Sequence, residues 1–159
     1  MNRLKKLISL LLIGTFACAL LVSCGDGAEK EVPVDDLVAA VEQALGKTDM
    51  VDPGEGYVKG YMKHTAEEIG DYAIRKTVVG TSIDEFGVFR AGTMTTAQLK
   101  VMLEDYFKLL QDAWMNYQPE EKPKLDGAQV TVQGSYVLFT ILGDSDRDAA
   151  VSAFKAALK

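Results

Sequence analysis

The chain has 159 residues, with 23 acidic against 17 basic side chains and a formal net charge of −6. This acidity argues against nucleic acid as a partner, because nucleic-acid binding draws on counterions released by clustered basic side chains. It also argues against direct adsorption to anionic lipid headgroups, which attract polybasic segments. The length suits a single folded domain with one hydrophobic core.

Residues 1–23 have the three parts of a secretory signal peptide. Basic side chains lie within residues 3–6, and residues 7–22 form an apolar run without any charge. A basic head, an apolar middle and small residues at the end are typical of such signals. The run is shorter than the roughly 20 residues that a transmembrane helix needs. It ends in Leu-Val-Ser followed by Cys24, which resembles the lipobox of bacterial lipoproteins. The alternative is a transmembrane anchor that buries Cys24.

The resemblance to a lipobox implies that the Cys24 thiol receives a diacylglyceryl group and that cleavage makes Cys24 the first residue. Two fatty chains, at about 0.8 kcal/mol per buried methylene, hold a protein stably at a bilayer, whereas a single chain does not. Residues 24–32 are expected to form the lipidated cysteine and a solvated tether, which places the chain at the extracytoplasmic face of the cell membrane. Cys18 would leave with the signal peptide, so the mature chain would have no free thiol for a disulfide or a zinc site.

Residues 33–159 are predicted to form one α+β domain that begins with a helix. Apolar residues at helical spacing follow Pro33, and a glycine ends the pattern. The clearest helix runs from Thr95 to Pro119, because its apolar residues form a wide stripe at 3,4 spacing. The stripe consists of Leu99, Met102, Leu103, Tyr106, Phe107, Leu110, Ala113 and Trp114. A last helix is predicted over residues 145–159, with Ser145 as its N-cap.

Four strands are predicted between these helices, over residues 71–79, 83–91, 128–133 and 135–142. They are rich in β-branched and aromatic residues and are bounded by turn residues. Sequential strands joined by short turns pair in antiparallel fashion. The order α-ββα-ββα therefore predicts an antiparallel four-stranded sheet with helices packed on one face.

Several segments resemble one uncharacterised protein family. They are DEFGVFRA at residues 84–91, Tyr117-x-Pro119, Lys124-Leu125, and GSYVLFTI at residues 134–141 with a later aspartate. The family comprises bacterial lipoproteins of domain-of-unknown-function family number 4358, mostly from Gram-positive anaerobes. The resemblance covers roughly residues 34–158 and implies an anchored extracytoplasmic domain. It supplies no catalytic residues.

Residues 49–62 have the least regular pattern in the predicted domain. Long irregular segments in compact domains are often functional. An exposed aromatic patch rimmed by polar groups is typical of an interaction site. Tyr57 and Tyr61 are therefore the predicted binding residues.

No metal site or cofactor is predicted. Residues 144–148 read Asp-Ser-Asp-Arg-Asp, which begins like a calcium loop. Ala149 and Lys155 occupy the positions where that loop requires glycine and glutamate. The aspartates are instead expected to occupy the first turn of a helix, where carboxylates complement the helix dipole.

No catalytic residue is predicted either. His64 is the only histidine. Asp84 and Glu85 are neighbours on a predicted strand and should point to opposite faces, which prevents them from acting as an acid/base pair. We therefore expect a binding or accessory module, not an enzyme, that recognises a small-molecule ligand or another envelope protein. The alternative is an envelope-associated hydrolase that uses carboxylates.

Overall fold

The computed structural model describes residues 31–78, 82–114 and 117–159, so the predicted signal peptide and Cys24 lie outside the described residues. The helices are α1 Val34–Leu45, α2 Glu55–Tyr57, α3 Ala66–Ile69, α4 Thr96–Trp114, α5 Lys122–Asp126 and α6 Asp144–Ala157. A π-helix, Val58–Met62, follows α2, and a 3-10 turn, Pro119–Glu121, precedes α5. The strands are β1 Met50–Val51, β2 Tyr72–Thr77, β3 Glu85–Arg90, β4 Gln129–Gln133 and β5 Tyr136–Ile141.

The chain is an α+β protein with a five-stranded antiparallel sheet in the order β1-β2-β3-β5-β4. The prediction of four strands was wrong, because the sheet also contains β1. In this strand Met50 pairs with Thr77 and Val51 pairs with Lys76. A two-residue strand is too short to show any alternation of apolar and polar residues. Its sequence therefore carries no strand signal.

Helices cover both faces of the sheet, which corrects the prediction of helices on one face. One face packs against the π-helix, α3, α4 and α5 through Ile74, Phe89 and Phe139. The other face packs against α1 and α6 through Phe86, Val88 and Leu138. The physical reason is that β3 and β5 are central strands with apolar side chains on both faces. Each of their faces needs its own helical layer.

The long helix α4 follows its predicted pattern closely. Thr95 and Gln98 form a capping arrangement at its start, because Thr95 N donates to Gln98 Oε1 at 2.9 Å and Gln98 N donates to Thr95 Oγ1 at 3.3 Å. The stripe from Leu99 to Leu110 is buried, whereas Ala113, predicted to belong to it, is exposed and Trp114 is half-buried. The start of α6 differs from the prediction, because Gly143 is the N-cap and Ser145 lies in the first turn. Within the described residues, no helix is both long and apolar enough to cross a bilayer.

The N-terminal end of the described chain is held by a central strand. The Tyr136 hydroxyl accepts a hydrogen bond from Val32 N at 2.8 Å and donates one to Val32 O at 2.7 Å. Val32 and Tyr136 are both buried. Glu31 contacts Arg90 at the end of β3. The last residues of the predicted tether thus contact the folded domain.

Gly87 leaves room for an aromatic side chain of the neighbouring strand β5 to pack over the centre of the sheet. A Cβ atom at Gly87 would lie 2.5 Å from Phe139 Cε1 and 3.0 Å from Ile74 Cγ1. Both neighbours are fully buried in the core, so neither has free space into which to move. Gly92, by contrast, has no heavy atom within 4 Å of its Cβ position.

We expect Gly87→Ala to lower the free energy of unfolding by about 1–3 kcal/mol, the usual cost of overpacking a core. Urea unfolding monitored by circular dichroism measures this change. Gly92→Ala is the matched control and should leave the midpoint nearly unchanged. Equal midpoints for the two variants would contradict the packing described for Gly87.

Candidate functional site

A buried carboxyl group bonded to two tyrosines lies between the sheet and the helices. Glu85 is the first residue of β3 and is 1 % exposed. The Tyr106 hydroxyl donates to Glu85 Oε1 at 2.9 Å and approaches Oε2 at 2.8 Å. The Tyr57 hydroxyl donates to Oε2 at 2.8 Å, and the two hydroxyls also contact each other. We call Glu85, Tyr57, Tyr106 and Lys76 the Glu85 cluster.

Lys76 supplies the positive charge of the Glu85 cluster. Its Nζ atom donates to the Tyr57 hydroxyl at 3.2 Å and lies 4.0 Å from Glu85 Oε2. The same ammonium group lies 4.3 Å from the centroid of the Tyr57 ring, a cation–π geometry. The cluster therefore connects four parts of the chain: β2, β3, α4 and the helical segment that begins at Glu55.

The protonation of the Glu85 cluster follows from its burial. Burial raises the pKa of Glu85 to about 7, although the Lys76 charge and the tyrosine hydroxyls act in the opposite direction. Burial and the charge of Glu85 raise the pKa of both Tyr57 and Tyr106 above the ordinary value. The phenols thus remain protonated donors, and Glu85 takes up a proton close to neutral pH.

The predicted binding residues Tyr57 and Tyr61 lie side by side, with ring centroids 4.7 Å apart. Tyr57 is half-buried because its hydroxyl points inward to Glu85. Tyr61 is 45 % exposed. Only Tyr61 therefore offers much of its ring to the surface.

A cleft of about 220 Å³ lies where the end of α4 meets α5. It is lined by Gln111, Asp112, Trp114, Gln118, Lys122, Leu125 and Asp126. The Trp114 side chain is half-buried and packs against the same core as α4. We call this site the Trp114 cleft.

The polar groups that line the Trp114 cleft differ in whether they have hydrogen-bond partners. Gln111 Nε2 donates to Leu125 O at 3.2 Å, and Lys122 Nζ donates to Asp126 Oδ2. Gln118 Oε1 is buried and accepts no hydrogen bond from the described residues. A buried acceptor without a donor costs about 1–3 kcal/mol, so a ligand that supplies a donor here recovers that loss.

Asp84 and Glu85 occupy separate environments and bind different partners. Asp84 Oδ2 lies 2.7 Å from Lys47 Nζ, and Asp84 Oδ1 lies 2.7 Å from Lys124 Nζ. Burial raises the pKa of Asp84, but the hydrogen bonds and charges of Lys124 and Lys47 outweigh it, and the pKa lies below its ordinary value. Asp84 is therefore a buried ion-pair partner that joins α5 to the segment after α1.

Comparison with known proteins identifies the family. The model of a Domain of unknown function (DUF4358) matches residues 43–142. The chain belongs to this family. No curated protein and no solved structure gives a significant match.

The DUF4358 match contains both candidate sites in full. The Glu85 cluster spans Tyr57 to Tyr106, and the Trp114 cleft spans Gln111 to Asp126. The family description assigns no activity to either site.

Two of the aspartates of residues 144–148, and His64, have ordinary ion-pair partners in the DUF4358 structure. Asp144 pairs with Arg147 at 2.5 Å, and Asp146 pairs with Lys47 at 3.0 Å. His64 Nδ1 lies 3.5 Å from a carboxylate oxygen of Glu68 on the surface. Across residues 31–78, 82–114 and 117–159, no three histidine, cysteine, aspartate or glutamate side chains converge as metal ligands would.

The raised pKa of Glu85 predicts a pH-dependent stability. The unfolded carboxyl titrates near 4.5 and the folded one near 7, so the folded protein binds the extra proton between these values. The stabilising contribution of protonated Glu85 is full below pH 4.5 and is lost as the pH rises through 7. Relative to Glu85→Gln, which mimics the protonated carboxyl, the wild type should lose up to about 3 kcal/mol across this window.

Urea unfolding of both proteins at pH 5 and pH 8 measures this difference. Asp84→Asn is the control, because its depressed pKa places its titration below pH 5. Its destabilisation should be the same at both pH values. A difference between wild type and Glu85→Gln that does not change with pH would contradict the raised pKa.

Proposed function

We propose that the chain is a membrane-anchored extracytoplasmic lipoprotein whose domain binds a small ligand in the Trp114 cleft. The unpaired Gln118 Oε1 atom, buried in a cleft beside an aromatic ring, is the observation that carries the binding function. The Leu-Val-Ser-Cys24 sequence carries the anchoring.

The anchoring proposal rests on chemistry that the N-terminal sequence supplies. Cys24 follows a basic head and an apolar run, the order that signal peptides have. A lipidated Cys24 would hold the domain at the extracytoplasmic face of the cell membrane. The bilayer would then be a permanent partner.

The Trp114 cleft favours a ligand that carries hydrogen-bond donors on a small apolar body. Gln118 Oε1 needs a donor, and the carboxylates of Asp112 and Asp126 are acceptors. An indole ring such as that of Trp114 has a flat apolar face that also attracts cationic groups. The cleft is smaller than the roughly 300–1,000 Å³ of drug-sized sites. The ligand is thus a small hydroxyl- or amine-bearing molecule, or one end of a larger one.

An envelope-associated hydrolase is the second candidate, and the Glu85 cluster is the feature that favours it. A carboxyl group with a pKa near 7 suits general acid/base catalysis. A general base must also lie within hydrogen-bond reach of its substrate. Glu85 is 1 % exposed, and both of its oxygens are bonded to tyrosine hydroxyls. Binding at the Trp114 cleft is therefore the better-supported function.

Lipidation predicts that Cys24→Ala abolishes both fatty-acid labelling and membrane retention. The measurement is metabolic labelling with a radioactive fatty acid, followed by membrane fractionation. Cys18→Ala is the matched control and should be labelled like the wild type, because Cys18 leaves with the signal peptide. Equal labelling of Cys24→Ala and wild type would exclude the anchor.

Ligand binding can be measured directly, because Trp114 is the only tryptophan in the chain. Monosaccharides and small alkylamines are titrated separately against the full-length chain in detergent, and Trp114 fluorescence is recorded. We expect a saturable change with at least one probe. Gln118→Leu should abolish that change without lowering the melting temperature, since the variant no longer buries an unpaired acceptor.

Gln43→Leu is the control for the Gln118→Leu variant. Gln43 is an exposed glutamine on α1, on the other side of the sheet. Its replacement should leave both the fluorescence change and the apparent affinity as in the wild type. An unchanged apparent affinity in Gln118→Leu, or no change in Trp114 fluorescence with any of the probes, would contradict binding in this cleft.

A further inference from the structure

The strand β4 forms one edge of the sheet and hydrogen-bonds to a single neighbour, β5. The hairpin that joins them closes at the pair Gln133 and Tyr136. Its first turn residue, Gly134, has a φ of 57°, as the first position of the two-residue hairpin turns of types I′ and II′ requires. In a hairpin with a two-residue turn, the two residues that flank the turn form a hydrogen-bonded pair. Counting back along β4 from Gln133, every second residue therefore directs its backbone N–H and C=O groups to β5.

The opposite side of β5 confirms this alternation. Ala91 N donates to Ser135 O at 2.7 Å, so odd-numbered residues of β5 bond to β3 and even-numbered ones bond to β4. Val130 and Val132 of β4 pair with odd-numbered residues of β5. Their backbone N–H and C=O groups therefore point away from the sheet. In the described part of the chain, no other strand pairs with these groups.

This edge lacks the features by which proteins usually protect an exposed strand. The sequence of β4 is Gln-Val-Thr-Val-Gln, with no charge and no proline. Its register against β5 is continuous and has no bulge. Val132 is 45 % exposed. Edges of this kind readily add another strand.

The sequence of β4 reads the same in both directions about Thr131. In an antiparallel pair of two copies centred on Thr131, each Gln129 would face Gln133 of the other copy. Each Val130 would face the other copy's Val132, and these are the residues whose backbone groups point outward. Thr131 would face its own counterpart, a cross-strand pair that stabilises sheets.

We propose that β4 is a homodimer interface at which two copies of this chain join their sheets about a two-fold axis. The strand is self-complementary in side chains and in backbone groups, as an isologous contact requires. The resulting sheet would be continuous across both copies. The proposal does not rest on lipidation or on ligand binding in the Trp114 cleft.

Disulfide formation at Thr131→Cys tests the register. Two residues facing each other in a non-hydrogen-bonded pair have Cα atoms about 4.5 Å apart, within the range of a disulfide. Oxidation of the full-length variant should give a band of twice the monomer mass on a non-reducing gel. Two copies with different tags should appear together in that band. The wild-type chain, run in parallel, measures any background from Cys18 or Cys24.

Gln129→Cys is the matched control, because it lies on the same strand and the same face. In the proposed register its two copies lie about 13 Å apart along the strands, too far for a disulfide. It should not cross-link above background. Equal cross-linking of both variants, or a Thr131→Cys adduct with a different protein, would overturn the proposal.

Val132→Pro provides an independent test of the backbone contact. Proline removes an outward N–H group while the bonds between β4 and β5 persist, because edge strands tolerate proline at such positions. Sedimentation in detergent should show a dimer for the wild type and a monomer for Val132→Pro, with circular dichroism spectra alike. A monomeric wild type, or a variant that remains dimeric, would also overturn the proposal.

Discussion

The burial of both faces of β3 and β5 determines the architecture of the domain. Every residue of β5 and all of β3 except Arg90 are buried. A strand with apolar side chains on both faces is stable in water only between two layers of other elements. The amphipathic helices supply those layers, with α4 on one face and α1 together with α6 on the other. The edge strands can then be short or partly exposed, because the hydrophobic effect acts mainly at the centre.

The elements with a long periodic pattern could be predicted from the sequence, and the elements without one could not. The stripe of α4 and the two strand pairs follow directly from apolar spacing. The second helical layer was missed, although YVLFTI in β5 is an apolar run interrupted only by Thr140, which is typical of a strand buried on both faces. No pattern indicates β1, because two residues have no period. The helical segment at Glu55–Met62 lies in the part of the domain with the least regular pattern, and its π geometry has no sequence signature.

The candidate sites depend on contacts between residues distant in sequence, which local patterns do not record. Tyr57 and Tyr106 lie 28 and 21 residues from Glu85 along the chain. Helical spacing predicts that Tyr106 faces the core, but it does not predict a carboxyl group opposite it. A buried carboxyl is tolerated only when donors surround it, because an unpaired buried charge costs several kcal/mol. Through Tyr57, the Glu85 cluster therefore restricts how the helical segment Glu55–Met62 can pack on the sheet, and it favours one arrangement over similar apolar packings.

The double hydrogen bond between Val32 and Tyr136 has a mechanical consequence for the anchored chain that we propose. Residues 25–31 would form a tether of at most about 20–25 Å between the lipid and Val32. Tension on that tether would be transmitted to the domain through the Tyr136 side chain of β5, a strand with neighbours on both sides. The β4–β5 hairpin begins its turn beside that residue, so the same end of the sheet would face the membrane. Drag on the domain would thus load its most deeply buried strand before any peripheral helix.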